Sequence, residues 1–447
     1  MAGVNVGLRA YLWGKKPYSE RAQREVWTLN GATYEGYRTY IQRMKDGTLP
    51  AGGGGGEEPQ PDDIELARLP TTQSSDEEPG VPPAHDPQQA QQHGAADSSG
   101  GPAAPPYTYW HSFDAAKCPV SVLRFAPGSA DSLAWGDERG VVYVATAEPP
   151  QRLLQVLERH SDSVTDLDWS PDGSMLLTCS RDGTACLWRA DAGALRRAFR
   201  NASGALCCCA FHPANPNLLL LGTAAGELLV LNSSTGHLVA RAELAAGPMA
   251  RGGAACLAAV GSGAVLVADS RSCLHLFSVE LQGGTVQQLV PLAHFQPPRG
   301  RYHEPASLEY TAHSALARGP AVLLAQSSGE VVLSRLHEKP WRLEVKREVR
   351  TTQASAKVRA SLRPCAALEQ PELLLCGSED WRVHLVDISR KGVPPQLVAA
   401  LVGHTAPVLG VAWSSDESRL ASCDKKGVVI VWSAAEQQQQ QQAGASG

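Results

Sequence analysis

The feature that most limits how this chain can fold is a sevenfold repeat of short β-type runs after residue 107. Apolar runs alternate there with turn signals, and aligning the third run of each repeat gives seven equivalent positions, spaced 43, 43, 46, 57, 52 and 46 residues apart: Ala145, Trp188, Leu231, Phe277, Ser334, Val386 and Trp432. A blade of four antiparallel strands takes about 40 to 45 residues. The spacing therefore predicts an all-β, seven-bladed propeller in which two blades carry insertions.

The end of the repeat region predicts how the ring closes. The β-type pattern stops after Trp432, which leaves the last repeat with three strands and an unpaired edge. The stretch from Tyr107 to Phe113, directly before the first repeat, alternates aromatic and polar residues, as a half-buried strand does. We therefore expect residues 107–113 to supply the fourth strand of the seventh blade.

Composition divides the chain into four parts. Residues 1–46 form a basic, aromatic arm with room for one or two helices, which either docks on the propeller or binds a partner; residues 47–106 form a linker rich in Gly, Pro and Gln, with ten acidic residues and one Arg. Such a linker cannot bury enough apolar surface to offset its ordering entropy, so we expect disorder there and in the Gln-rich tail, 437–447. Within the linker, Ile64 to Leu69 is a candidate docking motif. The propeller is expected over 107–436.

Charge and hydropathy narrow the class of partner. Residues 107–447 carry 31 Lys or Arg and 31 Asp or Glu, so this part lacks the basic excess that nucleic-acid binding rewards. The first 25 residues contain no continuous apolar run of the kind found in a secretory signal, and no apolar stretch is long enough to cross a bilayer as a helix. We expect an intracellular protein, nuclear or cytoplasmic, with no direct nucleic-acid or membrane partner.

Cysteine usage gives no indication of a metal site. All eleven Cys follow residue 107, and they form no CxxC pair and no Cys/His spacing that would hold zinc. Cys207, Cys208 and Cys209 are adjacent, and consecutive strand residues point to opposite faces of a sheet. We expect buried, reduced thiols and no cofactor.

The second repeat carries polar residues at a characteristic spacing. His160 precedes its first strand, Thr178 lies on the second strand, Asp182 in the following turn and Trp188 on the third strand. An imidazole held between a hydroxyl and a carboxylate has both nitrogens satisfied, and a Trp N–H can donate to the hydroxyl. The four positions resemble the WD-repeat family, in which they form one hydrogen-bonded network. The resemblance implies a structural tetrad, not a catalytic one.

The other repeats match this pattern less well. The seventh has His404, Ser422 and Trp432 at the same spacing, but Lys426 stands where the Asp is expected, so its tetrad is predicted to be incomplete. Motifs of the third, sixth and seventh repeats, including Cys207-Cys208, also resemble one member of the family. That resemblance implies a non-enzymatic nuclear or cytosolic protein that binds other regulators.

A propeller is a rigid disc, so its function has to be sought on its surface. The turns between second and third strands share one rim, on which the candidate partner-binding residues are Arg181, Arg271, Glu379, Trp381, Arg382 and Lys425. Trp381 replaces the small residue seen as Gly183 and Gly427, and a large aromatic flanked by charges has the composition of a binding hot spot. Alternatively, its ring folds back onto a neighbouring blade. The leading hypothesis is a non-enzymatic scaffold that binds regulatory proteins or peptides through this loop face.

Two other functions are weaker. Substrate-recruiting adaptors of ubiquitin ligases in this family carry Asp after the third-strand Trp and Arg two residues later, whereas Trp188 is followed by Arg189 and Asp387 by Ile388. A propeller hydrolase acting on a small-molecule substrate would need a nucleophile or metal motif, and the sequence has no GxSxG, HExxH or P-loop element.

Overall fold

The computed structural model describes residues 64–66, 107–201, 204–244, 252–261, 263–282, 285–296, 303–338, 340–351, 357–364 and 371–434, with the backbone alone at 64–66, 280–282 and 285–287. The arm predicted to be partly helical, residues 1–46, and the tail, 437–447, lie outside these residues. Throughout the described residues the regular structure is β.

Two strands precede the first blade: β1 (Ile64–Leu66) and β2 (Tyr107–Phe113). The strands of blades one to three, from the innermost outward, are β3 (Val120–Phe125), β4 (Ser132–Asp137), β5 (Val141–Thr146) and β6 (Arg152–Glu158); β7 (Val164–Trp169), β8 (Met175–Ser180), β9 (Thr184–Arg189) and β10 (Leu195–Asn201); and β11 (Leu206–Phe211), β12 (Leu218–Thr223), β13 (Glu227–Asn232) and β14 (Leu238–Glu243).

Blades four and five are built from β15 (Ala254–Val260), β16 (Ala264–Asp269), β17 (Leu274–Gln282) and β18 (Thr285–Phe295), then β19 (Pro305–Ser314), β20 (Gly319–Gln326), β21 (Glu330–His337) and β22 (Arg342–Arg350). Blade six contains β23 (Ala360–Leu362), β24 (Leu373–Cys376), β25 (Arg382–Asp387) and β26 (Gln396–Val402), and blade seven β27 (Val408–Trp413), β28 (Arg419–Asp424), β29 (Val429–Ala434) and β2.

The seven sheets form a closed ring. Each innermost strand contacts the innermost strand of the next blade, and β27 of blade seven contacts β3 of blade one. Every one of the seven aligned positions, from Ala145 to Trp432, lies on the third strand of its blade. The predicted all-β, seven-bladed propeller is therefore confirmed.

The hydrophobic core is divided among the spaces between blades. Seven buried clusters each combine residues of two neighbouring blades, such as Trp169 and Trp188 with Val122 between blades one and two. Second strands are apolar because both of their faces are covered; all six residues of β12 are buried. Outer strands such as β6 expose most of their side chains. Each blade thus depends on its neighbours for burial, which only a closed ring gives to all seven.

The closing strand is where the sequence predicted it. β2 pairs antiparallel with β29, with Tyr107 opposite Ala434 and Phe113 opposite Val429. The Tyr107 hydroxyl donates to the Glu417 carbonyl oxygen at 2.7 Å, and the Trp110 indole N–H donates to the Ala147 carbonyl oxygen of blade one at 3.3 Å. Residues 107–113 therefore complete blade seven and also attach it to blade one.

One short strand lies inside the segment expected to be a disordered linker. β1 pairs in parallel with β10 at the outer edge of blade two, with Ile64 opposite Phe199 and Leu66 opposite Asn201. It falls within the candidate docking motif, Ile64 to Leu69, whose last three residues lie outside the described part of the chain. Backbone pairing at this edge was not predicted, because three residues carry too little periodicity to indicate a strand.

Candidate functional site

The candidate rim residues lie on one face of the ring, which we call the upper face and define by the turns between second and third strands. Arg181 lies between β8 and β9, Arg271 between β16 and β17, and Lys425 between β28 and β29. Glu379 and Trp381 lie between β24 and β25, and Arg382 is the first residue of β25. Glu379 is half-buried, and the other five candidates are exposed.

Each of these seven turns needs one residue with a positive φ. Five blades place glycine there and blade four places Ser272, with φ values such as 80° at Gly183, 98° at Gly427 and 60° at Ser272. Blade six places Trp381 there, with a φ of 68°. A bulky residue in this region of the Ramachandran map is an outlier, and such strain concentrates at functional positions.

The Trp381 side chain is 53% exposed. Its turn is fixed by Asp380, whose carboxylate accepts from the Arg382 backbone N–H at 3.1 Å and lies 2.9 Å from Nε2 of His384. Burial raises the pKa of Asp380, but hydrogen bonds from Ser378 and Arg382 and the charge of His384 outweigh it, so the pKa lies below its usual value. The Trp381 indole thus lies on a turn whose conformation is fixed by the Asp380 carboxylate.

The four tetrad residues of blade two lie within hydrogen-bonding reach of one another. The Trp188 indole N–H donates to Thr178 Oγ1 at 3.0 Å, and Thr178 Oγ1 lies 2.8 Å from His160 Nε2. His160 Nδ1 lies 3.4 Å from Asp182 Oδ2 and 2.8 Å from Thr184 Oγ1, which itself donates to Asp182 Oδ1 at 2.6 Å. Because the Thr184 hydroxyl donates to Asp182, His160 Nδ1 is assigned as the donor to Thr184 Oγ1. Thr184, which the sequence did not indicate, joins the imidazole to the carboxylate.

The carboxylate of this network is ionised. Burial raises the pKa of Asp182, but hydrogen bonds from His160, Thr184 and the Ser161 backbone N–H lower it by more. The pKa of Asp182 therefore lies well below its usual value. Thr178 is fully buried and His160 is 8% exposed. The network therefore lies inside the blade, where it braces the second and third strands.

The prediction that the blade-seven tetrad is incomplete is wrong. His404 Nδ1 lies 2.9 Å from Asp424 Oδ2, His404 Nε2 lies 2.7 Å from Ser422 Oγ, and the Trp432 indole N–H donates to Ser422 Oγ at 2.8 Å. Asp424, at the end of β28, supplies the carboxylate two residues before Lys426, where alignment with blade two placed it. Asp424 and the imidazole it contacts are fully buried.

The same carboxylate position recurs in blades that lack the tetrad pattern. Asp137 accepts from the Tyr143 hydroxyl at 3.2 Å, and Asp269 lies 3.3 Å from His275 Nε2. Burial and the neighbouring Asp137 carboxylate raise the pKa of Tyr143 to about 12. In blades one, four and seven this Asp also accepts two backbone N–H groups of the following turn, as Asp424 does from Lys426 and Val428. It therefore fixes the turn on the upper face.

A channel runs through the centre of the ring and has two chambers. The lower chamber, about 250 Å³, is lined by the charged residues Arg124, Asp166, Asp168, Glu309 and Arg359. The upper chamber, about 750 Å³, opens on the upper face and is lined by the charged residues Glu138, Arg181, Glu304, Lys357, Arg359 and Lys425. Arg359 belongs to both chambers. Of the candidate rim residues, Arg181 and Lys425 line the upper chamber, while Arg271, Glu379, Trp381 and Arg382 lie outside its lining.

The lower chamber holds its charges with backbone groups of neighbouring blades. Asp168 accepts from the Phe211 N–H at 2.9 Å, and Glu309 accepts from the Leu362 N–H at 2.9 Å. Arg124 lies 3.3 Å from Asp166. Burial, opposed by Arg124, raises the pKa of Asp168 to about 6. This cluster is not evident in the sequence, because its residues lie on different blades and meet only when the ring closes.

The cysteines pack as ordinary core residues. Cys208 belongs to the cluster between blades three and four, whereas Cys209 belongs to the cluster between blades two and three. Burial raises the pKa of both thiols well above the usual value. Across the part of the chain that the structure describes, no group of three or more His, Cys, Asp or Glu could hold a metal ion, and no helix is long and apolar enough to cross a membrane.

Comparison with known proteins identifies the repeats. The model of the family "WD domain, G-beta repeat" matches residues 151–189 and 395–433, which are the segments that end on Arg189 and Ser433 of blades two and seven. The two matched segments are WD repeats, and they lie within the seven-bladed β-propeller. The beta-propeller domain of Cps50 (Swd1) from Myceliophteria thermophila superposes on this propeller with a TM-score of 0.60 at 16% identity, covering 73% of this chain and 99% of that one.

Curated proteins are similar to parts of this chain. The Denticleless protein homolog of Danio rerio is 23% identical over 69% of this chain and 50% of its own length. The Chromatin assembly factor 1 subunit FAS2 homolog of Oryza sativa subsp. japonica is 31% identical over 21% of this chain and 19% of its own length. The Probable cytosolic iron-sulfur protein assembly protein 1 of Kluyveromyces lactis is 39% identical over 15% of this chain and 20% of its own length. The chain thus spans half or less of the length of these relatives.

Proposed function

We propose that this chain is a non-enzymatic scaffold that binds a regulatory protein or peptide through its upper face, with Trp381 as the central contact. The observation that carries the proposal is the Trp381 turn: an indole that is 53% exposed occupies a position whose backbone conformation favours glycine. Exposed Trp is strongly enriched among residues that dominate binding energy. Backbone strain of this kind concentrates at functional positions, which supports a role in recognition.

A differential capture experiment tests this. The full chain and its Trp381→Gly variant are immobilised and the captured proteins are compared by mass spectrometry, with Tyr109→Ala as the matched control. Tyr109 is also half-exposed, at 51%, but lies on the outer strand of blade seven and not on the upper face. We expect a partner that the Trp381→Gly variant loses and the Tyr109→Ala variant keeps. Identical partner sets for all three proteins would refute Trp381 as the central contact.

Catalysis is not part of the proposed function. The His–Asp pairs that would suggest acid–base chemistry, at His160 and His404, have both ring nitrogens occupied and lie beside buried hydroxyls. The relatives' names, such as chromatin assembly factor subunit, support protein partners and offer no support for a nucleic-acid, membrane or small-molecule ligand. The names also support a nuclear or cytoplasmic location, since one relative is named a chromatin assembly factor subunit and another a cytosolic assembly protein.

Two more specific assignments were considered: a role as a ubiquitin-ligase adaptor and a relationship to one WD-repeat protein. A substrate-recruiting adaptor of a ubiquitin ligase is disfavoured at blade two, because Arg189 stands at the position of the required Asp and pairs with Asp191 at 2.6 Å. A resemblance to WD repeat-containing protein 13 rests on Cys207-Cys208 with Phe211, on residues 377–380 and on the segment that begins at Gly403. We propose that relationship on these motifs alone.

A further inference from the structure

The upper chamber of the channel has two unlike walls. Blades three and four contribute small uncharged residues, among them Ala205, Ala224, Gly253 and Ala254. A Cβ at Gly253 would lie 2.5 Å from the Ala224 carbonyl oxygen, so the close approach of the two blades excludes a larger residue there. Blades six, seven and two contribute the cationic side chains Lys357, Arg359, Lys425 and Arg181. One wall of the chamber is therefore formed by small uncharged residues, and the opposite wall is positively charged.

Ion pairing leaves part of that positive charge uncompensated. Lys357 pairs with Glu304, and Arg359 lies 3.6 Å from Asp166 and donates to the Thr165 carbonyl oxygen at 3.1 Å. Arg181 and Lys425 make no side-chain hydrogen bond or ion pair with any described residue. Among the described lining residues, Glu138 is the one other acidic residue. Leaving aside Arg359, whose partner Asp166 lies in the lower chamber, the described lining carries three cations against two anions, and Arg181 and Lys425 are the two cations without a described partner.

The sign of the charge changes along the channel. Below Arg359, the lower chamber holds three carboxylates, Asp166, Asp168 and Glu309, against Arg124 and Arg359. A cleft with low-dielectric walls concentrates the field of the charges that line it. An anion that enters from the upper face is therefore attracted by positive charge as far as Arg359 and repelled by the carboxylates beyond it. We expect it to stop at Arg359.

We propose that the upper chamber binds an acidic segment of a protein partner, with a carboxylate seated above Arg359 and flanked by Arg181 and Lys425. This inference rests on the proposed function, because the same face carries Trp381, and it adds the chemistry of the segment recognised. Arg181 and Lys425, the two cations without a described partner, match one or two carboxylates. A nucleic acid would need a longer cationic track to release counterions along its backbone.

Binding of a defined probe tests the proposal on the full chain. The probe is a fluorescein-labelled peptide of alternating aspartate and glutamate, compared by anisotropy with the matched peptide of asparagine and glutamine. The acidic peptide is expected to bind and the amide peptide is not, and raising the salt concentration should weaken binding. Reversing both free charges, in Arg181→Glu with Lys425→Glu, should weaken binding by about tenfold or more. Neither side chain supports the fold through a described contact, so this variant should keep the parent melting temperature.

The control variant is Arg139→Glu, because Arg139 is an exposed cation on the equivalent turn of blade one but does not line the chamber. Equal affinity for the acidic and amide peptides, an unchanged affinity of the doubly reversed variant, or an equal loss in Arg139→Glu would each overturn the proposal. So would tighter binding of a labelled single-stranded DNA that competes with the peptide. If the peptide fails to bind while Trp381→Gly still loses its partner, only the acidic segment is refuted and the proposed function stands.

Discussion

At the scale of single residues, the turn of blade six shows how the backbone constrains a binding position. The φ of 68° at Trp381 suits glycine, and a Cβ in this region costs about 1 to 2 kcal/mol. Because alanine keeps the Cβ and glycine does not, we expect Trp381→Gly to unfold with a free energy about 1 kcal/mol higher than Trp381→Ala. Urea denaturation of the two variants measures the difference.

Lys425 is the matched control for that comparison, since it is exposed on the equivalent turn of blade seven but is not among the residues with positive φ. There the order should reverse, because glycine costs more unfolded-chain entropy than alanine. Equal stability of Trp381→Gly and Trp381→Ala would mean that the turn relaxes and that no strain is stored at this residue.

The blade-seven tetrad gives a second comparison of residues. Asp424 is fully buried and accepts from His404 and from the N–H groups of Lys426 and Val428 at 2.9 and 3.0 Å. Replacing it by Ala leaves one buried and two half-buried donors without an acceptor, so we expect Asp424→Ala to lower the free energy of unfolding by about 3 kcal/mol. Lys426→Ala, an exposed change two residues away, should stay within about 0.5 kcal/mol. The reverse order in thermal or urea unfolding would restore the sequence-based alignment.

Asp424 also shows what limits prediction at this scale. The tetrad spacing was read from blade two, where the carboxylate comes four residues after the hydroxyl, at Asp182. Blade seven reaches the same imidazole nitrogen from two residues after the hydroxyl, because a side chain at the end of the second strand also faces the loop that carries the His. The spacing seen in blade two therefore does not determine which residue near the end of the second strand directs its carboxylate at the imidazole. The recurrence of Asp three residues before the positive-φ residue, at Asp137 and Asp269, was the available signal.

At the scale of elements, the closing strand is the one whose removal affects two interfaces. Tyr107 packs edge-on against Trp413, with ring centroids 5.7 Å apart. The ring centroid of Phe113 lies 5.3 Å from that of Trp135 in blade one. We expect a chain that begins after residue 113 to melt on the order of 10 °C lower than one that begins after residue 100, because it exposes these aromatic contacts and the edge of β29. Differential scanning calorimetry measures both.

If the shorter chain does not fold, the single change Phe113→Ala in the full chain keeps the test informative. It removes the contact with Trp135 while leaving the backbone pairing of β2 with β29, so a smaller drop in melting temperature is expected. Indistinguishable melting of the chains that begin after residues 100 and 113 would show that the ring does not need this strand.

Elements were the level at which the sequence was most informative. Each strand of a blade has to alternate or be wholly apolar according to how many of its faces are covered, and this pattern placed all seven third strands. Hairpin length was less visible: β17 and β18 extend to nine and eleven residues, longer than strands of most other blades, and account for part of the wide spacing after Phe277. Pairing of β1 with β10 could not be predicted, since it joins residues about 135 positions apart without a periodic pattern.

At the scale of the whole molecule, the channel is the feature that only ring closure creates. Arg124 and Asp166 are 42 residues apart and lie on adjacent blades, and Glu309 and Leu362 are 53 residues apart. Polar residues on an innermost strand look, in sequence, like any polar position of an alternating strand. Their position in a shared chamber follows from seven blades closing around an axis, so the sequence could indicate the ring but not the charges at its centre.

The lower chamber makes the stability of the ring depend on pH in a predictable direction. Burial raises the pKa of Asp168 to about 6, above its ordinary value of 3.8, which means that the folded protein disfavours the ionised carboxylate. The stability that this group contributes is therefore fully present below about pH 4 and is lost as the pH rises through about 6.

Asn in place of Asp168 keeps an oxygen for the Phe211 N–H and cannot ionise. We expect the free energy of unfolding of the parent chain to rise relative to that of Asp168→Asn as the pH is lowered from 7 to 4, in urea titrations at each pH. Asp191→Asn, at an exposed turn outside the channel, is the control, and a parent-minus-variant difference for Asp168 that stays constant or falls over this range would contradict the burial of its charge.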